Sequence, residues 1–335
     1  MSQIIQKFKI FTKISEDFKT RIKSFHIFDD SRGSNLLFIT SDDQVFSFGQ
    51  NSSGCCGLGH NRPVSEPQLI LELSHKKIKQ FFIGWGFVLA INENNHLFSW
   101  GCNHWGQLGI GSVNKKTFKP QLIAFPQNET LIQISCGLNH TLGLTSKGVL
   151  YGWGRNQSGE VGVGRDKGIE ILSPTKLSPF SGKSFVKSVY TSRDQSFAIT
   201  ADGRAFSWGS NCNCLLGHEL SELEYVFRPK AIKLSNITSI CSSDTNTYFL
   251  STEGLIHFCG QIGKTYQKSP KLMTTKLRLN SLETINDNKN QLISTAIDDN
   301  SVYILDSNQI IQTKFKTITE LTLNSLQITH KTYEI

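Results

Sequence analysis

The sequence predicts an all-β fold, a β-propeller of four-stranded blades. Three observations predict it: a glycine-centred phrase that returns at a near-constant interval, four short apolar runs in each period, and no long window with helical periodicity. The phrase is Phe46-Ser47-Phe48-Gly49-Gln50-Asn51, then Phe98-Ser99-Trp100-Gly101-Cys102-Asn103, Tyr151-Gly152-Trp153-Gly154-Arg155-Asn156 and Phe206-Ser207-Trp208-Gly209-Ser210-Asn211. A degraded copy reads His257-Phe258-Cys259-Gly260-Gln261, and the marker glycines stand 52, 53, 55 and 51 residues apart.

Each full copy is followed by a second glycine phrase, clearest as Gly106-Gln107-Leu108-Gly109-Ile110-Gly111 and Gly159-Glu160-Val161-Gly162-Val163-Gly164. Upstream lies an apolar run, a short loop, a second apolar run and a turn, best seen from Ile132 to Gly148. A fourth run begins at proline, at Pro67, Pro120, Pro174, Pro229 and Pro270. One such sheet cannot bury both faces alone, so neighbouring sheets must stack around an axis. The expected units are 22–70, 78–123, 132–177, 186–232, 237–272 and 282–313. Residues 1–21 and 318–335 are expected to close a seventh blade, with six blades as the alternative, in a single domain over 1–335.

Within the repeat, Gly49, Gly101, Gly154 and Gly209 serve tight connections or close backbone approach, so their replacement is expected to cost stability first. Phe48, Trp100, Trp153 and Trp208 supply large apolar contacts between blades, and a buried indole N–H needs an acceptor.

Composition excludes several classes. With 38% hydrophobic and 19% charged residues, the chain has enough apolar side chain for a core. No run approaches the ~20 apolar residues of a membrane span, and the polar first residues do not read as a secretory signal. A cytoplasmic or nuclear protein is expected, with its eight cysteines as free thiols and the sequons at Asn51, Asn128, Asn156 and Asn236 without weight. The net charge of +8 admits acidic partners, but the basic residues are scattered. Chromatin or nucleic acid is therefore the weaker expectation.

Motifs for covalent chemistry are not found. Gln261-Ile262-Gly263-Lys264-Thr265 ends like a phosphate loop, but Phe258 stands where the first glycine belongs, so it reads as a decayed repeat turn. Cys55-Cys56 and Cys212-x-Cys214 lack the two-residue gap of zinc knuckles. His140 ends the stretch Gly137-Leu138-Asn139-His140 and reads as a hydrogen-bonded structural histidine. No catalytic residue, metal or cofactor is expected. Binding surfaces are sought in the longer loops. Among these, 112–119 carries Lys115, Lys116 and Phe118, and 218–228 carries Tyr225, Phe227 and Arg228.

The combination of aromatic-Gly-x-Asn, Gly-x-Leu-Gly-x-Gly downstream and Gly-x-x-His upstream resembles the regulator of chromosome condensation repeat over nearly the whole chain. The resemblance implies a seven-bladed propeller and a choice of roles: exchange factor for the Ran GTPase, chromatin or ciliary scaffold, ubiquitin-ligase module, or ultraviolet photoreceptor. The last needs a cluster of face tryptophans, and only Trp85 and Trp105 remain beside the three blade tryptophans. In the Gly-x-x-His region Asp194 and Asp244 are acidic, and Asp194 follows Arg193 in a face loop. The expectation is a monomeric protein-binding scaffold; the alternative is a guanine nucleotide exchange factor for a Ran-like small GTPase.

Overall fold

The computed structural model describes residues 14–30, 33–112, 114–177, 185–221 and 224–274, and several later strands as backbone. A short helix opens it, α1 (Glu16–Arg21), whose N-cap Ser15 accepts a hydrogen bond from the Phe18 amide at 3.3 Å. Acidic Glu16 and Asp17 in its first turn and Arg21 in its last suit the helix dipole. Six residues are too few to carry a helical period, so the sequence did not announce it. The strand-like Phe8–Phe11 lies outside the described residues.

Strands follow in groups of four. They are β1 (Ile22–Asp30), β2 (Gly33–Thr40), β3 (Val45–Gly49) and β4 (Val64–Leu69); β5 (Ile78–Gly84), β6 (Phe87–Asn92), β7 (Leu97–Cys102) and β8 (Lys116–Leu122). Next come β9 (Leu131–Cys136), β10 (His140–Thr145), β11 (Leu150–Arg155) and β12 (Glu170–Lys176); β13 (Val186–Ser192), β14 (Gln195–Thr200), β15 (Ala205–Ser210) and β16 (Tyr225–Ala231). After β17 (Ile237–Ser242), β18 (Asn246–Ser251), β19 (Ile256–Ile262) and β20 (Thr265–Thr274) stand β21 (Ser281–Asp287), β22 (Leu292–Ile297), β23 (Val302–Leu305) and β24 (Ile310–Thr313). The last are β25 (Leu326–Gln327) and β26 (Thr332–Glu334). Each group of four is an antiparallel sheet with its strands in sequence order. The strand β26 pairs with β1, and β25 with β21, so the C-terminal strands extend the first and sixth sheets. Much of the expected closing blade, 1–13 and 314–325, falls outside the described residues.

The chain divides into two compact units, the first holding the sheets of β1–β4 and β5–β8, the second the four sheets that follow. In unit 1 the core joins both sheets: Phe28, Leu37, Ile39 and Val45 of one pack with Ile78, Phe81, Val88 and Trp100 of the other. In unit 2, Phe197, Ile199 and Leu216 pack likewise with Ile237, Ile240, Phe249 and Cys259. The second strands β6, β10, β14 and β18 are buried at every residue, because a sheet covered on both faces has no solvent side to alternate toward. Side chains also tie first strands together: Gln133 of β9 both donates to the Val189 carbonyl of β13, at 2.8 Å, and accepts from the Val189 amide, at 2.9 Å.

The signature residues build this packing. Trp100 Nε1 donates to the Cys55 carbonyl at 2.7 Å, and Trp208 Nε1 to the Glu160 carbonyl at 2.9 Å, each reaching into the preceding sheet's glycine phrase. Cys259 takes the tryptophan's place in the fifth sheet, its thiol donating to the Leu215 carbonyl. Asn51, Asn103, Asn156 and Asn211 are buried staples. Asn103, for example, donates to the carbonyls of Ser112 and Asn114 and accepts from the Leu108 amide, which holds the loop after β7.

Two expectations are corrected. The fourth strands do not begin at proline: β8 starts four residues before Pro120, and the register between β7 and β8 slips between Ser99 and Gly101, beside it. An edge strand tolerates an imino acid at such a bulge, where no ladder N–H is missed. Lys116, Phe118, Tyr225, Phe227 and Arg228 accordingly lie on edge strands β8 and β16 and not in loops. The Gln261 to Thr265 stretch is a hairpin between β19 and β20, with Gly263 at φ 57° in a two-residue turn. It replaces the long glycine loop of the other repeats.

Candidate functional site: an ionic row of hairpin tips

In unit 2 the turns joining first to second strands lie at one end of the sheets: Leu138-Asn139, Arg193-Asp194 and Asp244-Thr245. Backbone bonds fix each tip to the strand beside it. The carbonyls of Asn139, Asp194 and Thr245 accept from the amides of Arg155, Ser210 and Gln261, at 2.8, 3.0 and 2.8 Å. The Leu138 amide joins one tip to the next by donating to the Arg193 carbonyl at 2.9 Å, and Asn213 Nδ2, in the loop after β15, donates to the Asp244 carbonyl at 2.9 Å. Arg193 holds φ 48°, the left-handed conformation that a tight hairpin turn requires.

On this frame sits a row of alternating charge. Arg193 Nε meets Asp244 Oδ1 at 2.9 Å, Arg155 Nη1 meets Asp194 Oδ1 at 3.3 Å, and Arg155 Nε meets Glu160 Oε1 at 3.4 Å. Arg155 Nη2 also donates to Gln157 Oε1 at 3.1 Å. The Arg193 side chain is 52% exposed, Asp194 and Asp244 are partly covered, and Glu160 is fully buried. Burial pushes the Asp244 carboxyl above its ordinary range, against the pull of Arg193. Burial likewise raises Glu160, to about 7, although amide hydrogen bonds and Arg155 favour its charged form.

His140 is buried behind the row, with Nε2 2.8 Å from Ser196 Oγ. Burial, and then the nearby Arg155 charge, push its pKa down to about 3, so it is neutral at physiological pH and serves the packing.

The other expected residues lie elsewhere. Tyr225, 53% exposed, pairs with Ser210 at the same end of its sheet, on the outer edge. Phe227 packs edge-on against Tyr225 and beneath the Arg165 guanidinium, its carbonyl accepting from the Gly164 amide, while Arg228 pairs with Asp166 at 3.0 Å. In unit 1, Lys115 is exposed and gives its carbonyl to the Asn103 amide. The Phe118 ring lies over Gly54, and its carbonyl accepts from the Gly59 amide. Phe118 is thus occupied by its own fold. Unit 1 places Trp85, 60% exposed, at the equivalent tip between β5 and β6. Sequence reasoning missed Arg155 and Glu160, although a signal was present: charges stand where the preceding repeat has Cys102 and Gln107.

The cysteines carry a separate expectation. All eight are free; Cys212 is exposed, Cys55, Cys56, Cys214, Cys241 and Cys259 are buried, and burial drives the Cys259 thiol far upward. A thiol-reactive disulfide reagent on the native protein should therefore label Cys212 fastest, ahead of the half-buried Cys102 and Cys136, and Cys212→Ser should remove that fastest phase. Equal rates at the buried thiols would contradict the packing described.

Comparison with known proteins places these features. The family model for the RCC1-like domain matches residues 23–313. The chain is 30% identical over 178 residues to the ultraviolet-B receptor UVR8 of Arabidopsis thaliana, a match covering 53% of this chain and 40% of that protein. It is 27% identical over 237 residues to the human E3 ubiquitin-protein ligase HERC2, covering 69% of this chain and 5% of the ligase. The chain thus spans well under half of these relatives. Among solved structures it resembles Prp20p of Saccharomyces cerevisiae, studied for its binding to Gsp1p and histones, with a TM-score of 0.65 and 22% identity over 80% of this chain and 67% of that one. Human WBSCR16 gives a TM-score of 0.67 and 19% identity, over 84% and 80% of the two chains. At these identities the likeness shows the fold, and with the match over residues 23–313 the chain belongs to the RCC1-like domain family of β-propellers.

Proposed function

We propose that the protein is a non-catalytic interaction module that docks a partner protein on the ionic row of unit 2. One observation carries the reading: Arg193 and Asp194 occupy a two-residue turn whose backbone is bonded on both sides and whose side chains are already engaged with Asp244 and Arg155. A surface so preorganised loses little conformational entropy on binding, and alternating charge selects a partner of complementary pattern. The expected setting is the cytoplasm or nucleus, where eight free thiols stay reduced.

Affinity capture with the full chain tests this. Arg193→Glu, which sets two carboxylates against each other at the tip, should weaken recovery of the specific partner by roughly 30-fold or more, as losing one member of a partly buried charge pair does. A control pair, Lys115→Glu with Lys116→Glu in unit 1, should leave it unchanged. Undiminished capture by Arg193→Glu would overturn the assignment of the face.

The second reading is guanine nucleotide exchange on a Ran-like GTPase. Family membership and the Arg193-Asp194 tip favour it, and Prp20p, which shares the fold, binds Gsp1p. Release of fluorescent GDP from such a GTPase, accelerated by micromolar protein, would put it first.

A further inference from the structure

We propose that Glu160 is a proton-operated anchor for Arg155, and that gain or loss of its proton resets how Arg155 and Asp194 are presented on the face of unit 2. The inference deepens the docking reading and rests on it for its biological consequence.

The geometry is specific. Glu160 is fully buried in the loop after β11; Oε2 accepts from the Ser158 amide at 2.8 Å, whereas Oε1 accepts no hydrogen bond and faces Arg155 Nε at 3.4 Å. The terminal nitrogens of the same guanidinium reach Asp194 and Gln157. The charged groups that bear on Glu160 are thus Arg155, from the end of β11, and Asp194, from the turn between β13 and β14. Trp208 Nε1 and Ser196 Oγ donate to its main-chain carbonyl and are neutral, and so is the buried His140 that contacts Ser196. One cation is shared between two carboxylates, of which the inner is out of water.

The preceding repeat supplies the reference state. There Gln107 occupies the Glu160 position, and its Oε1 accepts from the Trp105 amide two residues back at 2.9 Å, the same bond that Glu160 makes with Ser158. Cys102 stands where Arg155 does. The repeat fold therefore needs an acceptor at this site and not a charge. A protonated glutamic acid retains a carbonyl acceptor and presents an O–H where glutamine presents N–H, so both protonation states fit the loop. Burial works against the charged form and brings proton exchange to about neutrality.

Above that pH, Glu160 and Asp194 divide the Arg155 guanidinium between them. Below it, the inward pull on Nε is gone, Asp194 and Gln157 hold the guanidinium, and the face carries one more net positive charge. An acidic group on a partner would then bind more tightly as pH falls through neutrality.

The full chain, with 15N-labelled arginine, tests this without a partner. The Arg155 Nε–H resonance, assigned with Arg155→Lys, is followed from about pH 5.5 to 8.5 in wild type and in Glu160→Gln. Wild type should show one transition with a midpoint near 7, and Glu160→Gln should hold the low-pH position throughout. Stability gives a second measurement. A carboxyl raised from 4.5 to about 7 on folding binds its proton in the native state first, so the stability that Glu160 contributes falls as pH rises across that interval and is level above it. Buried His140 and His218, held neutral, slope the other way in both proteins, so the difference in stability between wild type and Glu160→Gln is what should change with pH across that interval. No transition, a midpoint below about pH 6, or a transition that persists in Glu160→Gln would overturn the proposal. Because glutamine is already the residue of the sister repeat, the variant is expected to fold; should it not, the wild-type titration decides. Failure here leaves the docking reading intact, since that stands or falls on capture by Arg193→Glu.

Discussion

Gly154→Ala is expected to remove roughly 3–5 kcal/mol of folding stability, a large share of what a domain usually possesses. The glycine sits at φ 103°, a backbone region that an L-residue enters only under strain, at about 1–3 kcal/mol. Space is lacking as well: a Cβ there would collide with the Asn139 carbonyl oxygen and lie 2.7 Å from His140 Cα. Both neighbours are backbone at the turn between β9 and β10, so neither can swing aside, and forced overpacking adds roughly 1–3 kcal/mol. Gly168 separates the two contributions, because it holds φ 93° with nothing within 4 Å of the added Cβ. Gly168→Ala should cost about 1–3 kcal/mol, the conformational part alone. Urea titrations of both variants read the difference directly; equal midpoints would mean that the close approach of β11 to the Asn139 turn does not constrain the fold.

Trp208→Ala should cost about 3–5 kcal/mol and Trp208→Phe only about 1–2 kcal/mol. The indole is completely buried, so truncation to alanine leaves a cavity between sheets on top of the lost transfer energy. Phenylalanine retains most of the apolar contact and deletes the N–H that reaches the Glu160 carbonyl. That carbonyl is not abandoned, because Ser196 Oγ donates to it at 2.7 Å, which keeps the second cost small. Chemical denaturation of the two variants checks the ranking. If Trp208→Phe proved as damaging as Trp208→Ala, the hydrogen bond and not the ring would hold the sheets together. Cys259, which makes the corresponding contact with a thiol, shows that the ring can be dispensed with where other residues fill the space.

Much of the architecture was readable because the repeat expresses steric necessity. A positive φ at Gly101 and Gly154 and a flat aromatic before them leave few substitutes, so the same letters return in each period. The asparagine of the phrase was legible as a marker but not as a staple: that Asn103 reaches carbonyls at Ser112 and Asn114 depends on how the loop folds back, which spacing does not show. Proline misled in a small way. It marks the bulge of an edge strand, and the strand starts several residues earlier because residues such as Lys116 and Tyr225 pair backbone to backbone with little regard for side chain.

The candidate site divided differently. Arg193, Asp194 and Asp244 could be placed at turns from sequence, since a turn is a local property. Their partners could not, because Arg193 is 51 residues from Asp244 and Arg155 is 39 from Asp194, distances that only the stacking of successive sheets brings to about 3 Å. Local sterics and apolar periodicity, written in each repeat, determined that four-stranded sheets form and where their turns lie. Which charges meet, and that Glu160 lies out of water beneath Arg155, the tertiary structure alone decided, because burial and Coulomb attraction depend on what packs alongside and not on order along the chain.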